Sequence, residues 1–385
     1  MKTPVGAIGL LSLVILPSLL FAAAPAVPPP PAVDGRAHVL MDAATGKLLA
    51  AENENERLEP ASLTKLMTVY TIFHALKAGQ LHLDDKVVVS EHAWREGGAG
   101  SGGSTMFLPI HGSTTLENML KGVIIQSGND ASIAVAEHLS GSEEAFSDVM
   151  NRHARELGLK HSHFINSTGL PDPEHYTSAL DVAILSRALI NEFPEYYAWF
   201  SQKEFVFNGI KQGNRNLLLY RDSSVDGIKT GHTQAAGYCL AASAKRGDMR
   251  MITVVMGTGS AEARTKASLE LLNYGFRHYE TQRLYQAGKQ VVEARVWKGA
   301  TETVGLGVPA DVWVTVPRGS LDTLKATPEA PRDLVAPLDP ATPVGSLKLS
   351  LGGEPLLESP LVPLTAVAEG SLWRRAMDTV LLWFE

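Results

Sequence analysis

Three short patterns in this chain combine residue types that can activate a hydroxyl. Ser62-Leu63-Thr64-Lys65 sets a hydroxyl and an amine three residues apart. On a helix, positions i and i+3 share a face, so the two groups lie within reach of each other. Pro60 and Ala61 put the serine near a helix start, where free backbone N–H groups favour developing negative charge. A serine hydroxyl is a weak nucleophile until a base takes its proton. A desolvated lysine can be that base, because burial and neighbouring cations lower its pKa. Alone, a Ser-x-x-Lys carries little weight, since an ordinary helix start with a solvated lysine has the same pattern.

Two further patterns change that. Ser127-Gly128-Asn129 reads as a turn between two helices, offering a hydroxyl that can relay protons and an amide that can hold a carbonyl. Lys229-Thr230-Gly231 ends a strand. Its lysine adds positive charge, its threonine a donor, and its glycine lets a ligand approach the backbone closely. Lys229 is also expected to depress the pKa of Lys65, as like charges do.

The order of the three, separated by about 65 and then about 100 residues, resembles that of the serine penicillin-recognising enzymes. Their penicillin-binding members carry a Ser-x-x-Lys, Ser-x-Asn, Lys-Thr-Gly set. The likeness extends to Glu59–Thr68, Gln126–Ala131, Asn166–Leu170 and Val225–Thr233, which are similar to low-molecular-weight D,D-carboxypeptidases of Gram-negative bacteria, and it covers residues 36–385.

That resemblance implies roles. Ser62 would be acylated with Lys65 as its base, and Ser127 and Lys229 would assist proton transfer to the leaving group. The backbone N–H groups of Ser62 and His232 would form an oxyanion hole. Asn129, Thr230 and Gly231 would bind substrate, and Arg215, within Asn214-Arg215-Asn216, would receive its terminal carboxylate. The implied activity is removal of the terminal D-alanine from peptidoglycan pentapeptide stems, with β-lactams as covalent inhibitors and no cofactor. A D,D-endopeptidase and a catalytically silent, β-lactam-binding wall scaffold are the alternatives. A class A β-lactamase is disfavoured, because no Glu-x-x-Leu-Asn lies between Asn129 and Lys229.

The elements that must hold these residues can be read from periodicity. Ala37–Asp42 and Leu48–Ala51 read as strands joined by a turn through Gly46. Apolar residues at mixed three and four spacing make 60–78 a helix, and 115–125, 129–139, 143–157 and 177–191 four more. Gly97–Gly103 is a flexible loop. Strands near 227–229, 238–244 and 250–256 form an antiparallel meander, followed by an amphipathic helix over 260–274. The expected class is mixed α/β (α+β), helices packed on one antiparallel sheet, which by resemblance is the β-lactamase/transpeptidase-like domain.

At the N-terminus, Lys2, an apolar run from Val5 and the cluster Ala22–Ala24 read as a secretory signal peptide over 1–26. Residues 27–35 are a proline-rich tether, 36–280 the catalytic domain and 281–367 a small β-rich domain. Residues 370–385 form an amphipathic helix, apolar at Leu372, Trp373, Met377, Val380, Leu381, Trp383 and Phe384. It is too short to span a bilayer and fits a membrane surface. The protein is therefore expected in the periplasm, attached to the outer face of the inner membrane.

Composition removes other classes. With 34 basic and 41 acidic residues the formal charge is −7, and no basic stripe suggests nucleic acid. One cysteine, Cys239, excludes an internal disulfide and reads as a buried small hydrophobe. No His-Glu-x-x-His is present, and His161 and His163 lack a third ligand in view, so no metal is expected.

Overall fold

The computed structural model describes residues 27–383, so the expected signal peptide, Phe384 and Glu385 lie outside the described residues. The described residues divide into two compact units, one of residues 27–286 and 311–318, the other of 287–310 and 319–383.

The larger unit is built on a five-stranded sheet of β1 (Ala37–Asp42), β2 (Leu48–Glu52), β3 (Val225–Thr233), β4 (Gly237–Arg246) and β5 (Met249–Thr258). Its order is β2-β1-β5-β4-β3, antiparallel throughout. Alternation along the strands sorts side chains to opposite faces. Val39, Met41, Ala241, Ile252 and Val254 enter one core with the helical block. Leu40, Leu240, Ala242, Met251 and Val255 enter a second core beneath the long helix Ala261–His278.

The helical block comprises α1 (Lys65–Lys77), α2 (Glu91–Gly97), α3 (Leu116–Lys121), α4 (Asn129–Ser140), α5 (Glu143–Glu156) and α6 (Ala179–Glu192). Ser90, Thr115, Ser142 and Ser178 each accept a hydrogen bond from the amide three residues on, which explains where four of these helices begin. The α2 helix and the hairpins 86–88/113–115 and 204–207/210–213 were not expected from periodicity. Each is at or below the shortest stretch over which periodicity can be read.

Residues 27–35 are not a free tether. Val27 and Val33 pack against the second core, and the Pro28 carbonyl accepts from the Tyr274 hydroxyl at 2.8 Å. Strand Val312–Pro317 pairs with Tyr279–Tyr285 in the larger unit, apart from the strands that flank it in sequence. The smaller unit holds a second five-stranded antiparallel sheet, formed by 290–295, 303–307, 354–363, 345–351 and 324–329 in that spatial order.

The smaller unit ends in helix Leu372–Leu381, shorter than the expected 370–385. Its polar side faces the unit: Asp378 is buried and accepts from the Lys298 amide, and Arg375 pairs with Glu369 at 2.6 Å. Leu372, Trp373 and Trp383 are 83%, 76% and 85% exposed. Among the described residues no helix is long and apolar enough to cross a membrane.

Candidate active site

Ser62 sits in a 3-10 turn, Ala61–Thr64, immediately before α1, and not on the α-helix itself. In a 3-10 turn residues i and i+3 eclipse, which shortens the path between Ser62 and Lys65. Lys65 Nζ lies 3.2 Å from Ser62 Oγ, 2.7 Å from Asn129 Oδ1 and 2.6 Å from the Thr168 carbonyl. The lysine is only 1% exposed. Three oxygens therefore surround one buried amine.

The second pattern lies where α3 widens into a π-turn, Gly122–Gln126, and stops. The expected helix over 115–125 breaks at this point. Ser127 follows with φ 63° and ψ 30°, a left-handed conformation that costs a residue with a Cβ. That bend aims Ser127 Oγ at Lys229 Nζ, 2.9 Å away, while Asn129 opens α4 and reaches Lys65.

Lys229, Thr230 and Gly231 lie on β3, the sheet edge that packs on the Ser62 turn. A Cβ at Gly231 would stand 3.0 Å from the Pro60 carbonyl and 3.2 Å from the Ala61 Cβ, so a side chain would push the strand off the turn. His232 comes next and is exposed, its ring 4.0 Å from that of Tyr238, its cross-strand partner. Thr230 is buried at the cleft wall.

The electrostatics add one contributor to the expected pair of lysines. The Lys65 pKa is lowered to about 7, first by burial and next by the Arg215 guanidinium, with Asp130 and Glu143 opposing. Repulsion between the two lysines is expressed at Lys229, held well below the ordinary lysine range by burial and then by Lys65. Arg215 is placed at the cleft rim, where its Nη1 donates to Ser104 Oγ at 2.6 Å.

The residues expected at the site, Ser62, Lys65, Ser127, Asn129, Arg215, Lys229, Thr230, Gly231 and His232, thus gather around one cleft of ≈ 460 Å³. Ser101, Gly102 and Gly103, from the glycine-rich loop, form one wall. Thr168, Gly169 and Leu170 form another. Asn166 Oδ1 accepts from the Thr168 and Gly169 amides, closing a tight turn. Gly169 has φ +83°, and a Cβ there would fall 1.8 Å from the Ala61 carbonyl. His175, 2% exposed, accepts at Nδ1 from the Ile165 amide; its Nε2–H therefore donates to Thr64 Oγ1, 2.8 Å away.

Sequence reasoning missed His175 and Arg264. Arg264, in the first turn of helix 261–278, is buried and donates to the Gly231 and Cys239 carbonyls at 2.8 and 3.1 Å. Nothing in an amphipathic helix pattern distinguishes it from a surface arginine. The Asn166–Leu170 segment did carry a signal, its likeness to the family, without any role attached.

Comparison with known proteins follows the same division of the chain. Residues 23–260 match the D-alanyl-D-alanine carboxypeptidase family, and residues 279–369 match the penicillin-binding protein 5 C-terminal domain. The chain is 45% identical to D-alanyl-D-alanine carboxypeptidase DacC of Escherichia coli over 92% of its own length and 89% of that protein. It is similar to the crystal structure of penicillin-binding protein 5 from Haemophilus influenzae, with a TM-score of 0.84, 40% identity, and coverage of 89% and 99% of the two chains. It also resembles penicillin-binding protein D2 from Listeria monocytogenes in its ampicillin-bound form, with a TM-score of 0.56, 27% identity, and coverage of 65% and 100%. The three-oxygen lysine site, the strained serine turn and the glycine-edged strand therefore sit in a chain that belongs to the D-alanyl-D-alanine carboxypeptidase family of serine penicillin-binding proteins.

Proposed function

We propose that this carboxypeptidase removes the terminal D-alanine of peptidoglycan pentapeptide stems through an acyl-enzyme on Ser62, with Lys65 as general base. The observation that carries the assignment is the environment of Lys65 Nζ. When the amine is neutral, its two N–H groups donate to Asn129 Oδ1 and the Thr168 carbonyl, which can only accept. The lone pair then faces Ser62 Oγ, 3.2 Å away. A pKa near 7 makes that neutral form available at physiological pH.

The steps follow. Ser62 Oγ attacks the carbonyl of the D-Ala-D-Ala bond as Lys65 takes its proton. The backbone N–H groups of Ser62 and His232 receive the oxyanion. Ser127, hydrogen-bonded to Lys229, relays the proton taken by Lys65 to the departing D-alanine amine, which leaves Lys65 neutral again as base for the hydrolytic water. Arg215 with Thr230 holds the carboxylate of the leaving group. Water then hydrolyses the ester. A β-lactam, whose ring carbonyl occupies the same position, acylates Ser62; the likeness to the ampicillin-bound Listeria protein supports this.

Secretion through the 1–26 segment and residence in the periplasm belong to the same reading. The exposed apolar side of helix 372–381 supports attachment to the outer face of the inner membrane, because its polar side is already engaged. Five or six large apolar side chains at about 1.5 kcal/mol each contribute about 8 kcal/mol gross, before the cost of immobilisation.

Release of D-alanine from a D-Ala-D-Ala peptide, with and without β-lactam, tests the activity. Release that penicillin blocks is the expected result. Binding of penicillin without any release would convert the reading to a silent scaffold, and cleavage confined to cross-linked dimers would make it an endopeptidase.

A further inference from the structure

One carboxylate beside the cleft has no part in the steps above. Asp130 follows Asn129 in the first turn of α4 and is 0% exposed. Its Oδ1 accepts from the Met106 and Ala131 amides at 2.8 and 2.9 Å, and its Oδ2 from the Thr105 hydroxyl and Leu108 amide at 2.7 and 3.0 Å. All four donors are neutral, and among the described residues no lysine or arginine pairs with it. A fully buried carboxylate without a contacting cation is expensive to keep, so its place beside a cation-rich cleft calls for a reason.

Three of the four donors come from one segment, 105–108. The same segment is tied to the Ser127–Asn129 turn a second time, by the Asn129 amide donating to the Ser104 carbonyl at 2.8 Å. Ser104, the residue just before it, is the acceptor for Arg215 at the cleft rim, and the Thr105 carbonyl accepts from Gln212 at 3.1 Å. Asp130 thus clamps the wall that carries the carboxylate-reading arginine onto the turn that carries Ser127 and Asn129.

The second consequence is charge. The groups that face Lys65 are Lys229 from β3, Arg215 from the rim, His175 from the loop after α5, Glu143 from α5 and Asp130 from α4. Proton transfer from Ser62 creates an ammonium at Lys65, in the field of the Arg215 guanidinium. A buried negative charge nearby stabilises that product and the transition state leading to it, with no reorganisation needed at the moment of reaction.

We propose that Asp130 is a positioning residue for the reaction, clamping segment 105–108 to the Ser127–Asn129 turn and placing a fixed negative charge one residue along α4 from Asn129, whose side chain holds Lys65 Nζ at 2.7 Å. The inference rests on Lys65 as the base. Direction follows from sign: Asp130 opposes the depression of the Lys65 pKa, so its loss lowers that pKa further.

The test is the second-order rate of Ser62 labelling by a fluorescent penicillin, measured from pH 5 to 9 in the full chain and in Asp130→Asn. The wild type is expected to lose rate as pH falls through about 7. In Asp130→Asn the plateau should drop about tenfold or more, and the acid limb should move down by about half a pH unit or more. A lowered plateau with an unmoved limb overturns the charge role. An unchanged plateau overturns the clamp. A wild-type profile with no limb near neutrality overturns the base and this inference together, so the two failures are distinguishable. Should Asp130→Asn not fold, Thr105→Val keeps the charge and removes one clamp. Its rate should fall several-fold with the limb in place, and a wild-type rate would overturn the proposal.

Discussion

The cleft and the terminal helix break the usual sorting of residues in opposite directions. Charged groups are rarely buried, and large apolar groups are rarely left bare in a contiguous patch. In the cleft, Lys65 and Lys229 are 1% and 4% exposed, and neither touches a carboxylate. On helix 372–381 the large exposed side chains are leucine, tryptophan, methionine and valine, while an aspartate is buried. Both arrangements cost stability in isolation. The cleft keeps its cost because a desolvated amine is a base at neutral pH. The helix can recover its cost only from a partner outside the described protein. A local breach of sorting thus points to function, and its sign tells which kind: hidden charge to chemistry, bare apolar surface to an interface.

The comparison is broken most severely at Ser62. Ser62→Ala is expected to abolish covalent penicillin labelling and D-alanine release while leaving thermal unfolding unchanged. Lys65→Arg should lose roughly 10²- to 10⁴-fold in acylation rate, because guanidinium stays protonated. Labelling that persists in Ser62→Ala, or maps to another serine by peptide mass, would remove the cleft from the argument.

Arg215 separates positioning from pKa control. Arg215→Ala should cost roughly 2–5 kcal/mol in kcat/KM on a peptide with a free terminal carboxylate. It should also move the acid limb of the rate profile upward, because this cation lowers the Lys65 pKa. Equal kcat/KM for both proteins on the acid substrate would count against the carboxylate role.

A smaller effect concerns the buried neutral imidazole behind the cleft. Burial pushes the His175 pKa down to about 4. Between its ordinary value of about 6.5 and this one, the unfolded chain binds a proton that the folded chain does not. Stability from this residue is complete above about pH 6.5 and is lost as pH falls toward 4, by up to about 3 kcal/mol. Urea midpoints at pH 7 and 4.5 should diverge more in the wild type than in His175→Asn; parallel shifts would show the ring to be irrelevant.

The smallest effect on catalysis is expected at the other region. A chain ending at Glu369 should hydrolyse soluble peptide at the wild-type rate yet move from vesicles to the soluble fraction in a flotation assay. An intact protein that ignores vesicles, or a truncated one that unfolds, would leave the exposed face of the helix without the partner assigned to it.

Much of the site was legible because its spacing is local. Ser62 and Lys65 meet within one turn, and Ser127, Asn129, Lys229, Thr230 and Gly231 announce themselves by type and order. The strands of the main sheet were legible too, since burial on both faces gives long apolar runs bounded by turns. Less legible were the ends of elements. The π-turn before Ser127 and the 3-10 turn at Ser62 share their apolar period with the adjoining α-helices, so periodicity reads straight through them.

The sequence by itself determined the chemistry available: two serines, two lysines and an arginine in an order that narrows the reaction class, and a C-terminal stretch with one apolar side. The tertiary structure alone decided what controls that chemistry. The Thr168 carbonyl and the Arg264 guanidinium reach the cleft, and the Asp130 carboxylate and the His175 ring brace its walls, from elements up to about 200 residues from Ser62. The burial of Lys65 and the approach of Arg215, which lower its pKa, likewise depend on packing. The physical reason is range. A hydroxyl and an amine one turn apart are brought together by backbone geometry, whereas the field around a buried amine is the sum over whatever the folded chain packs against it.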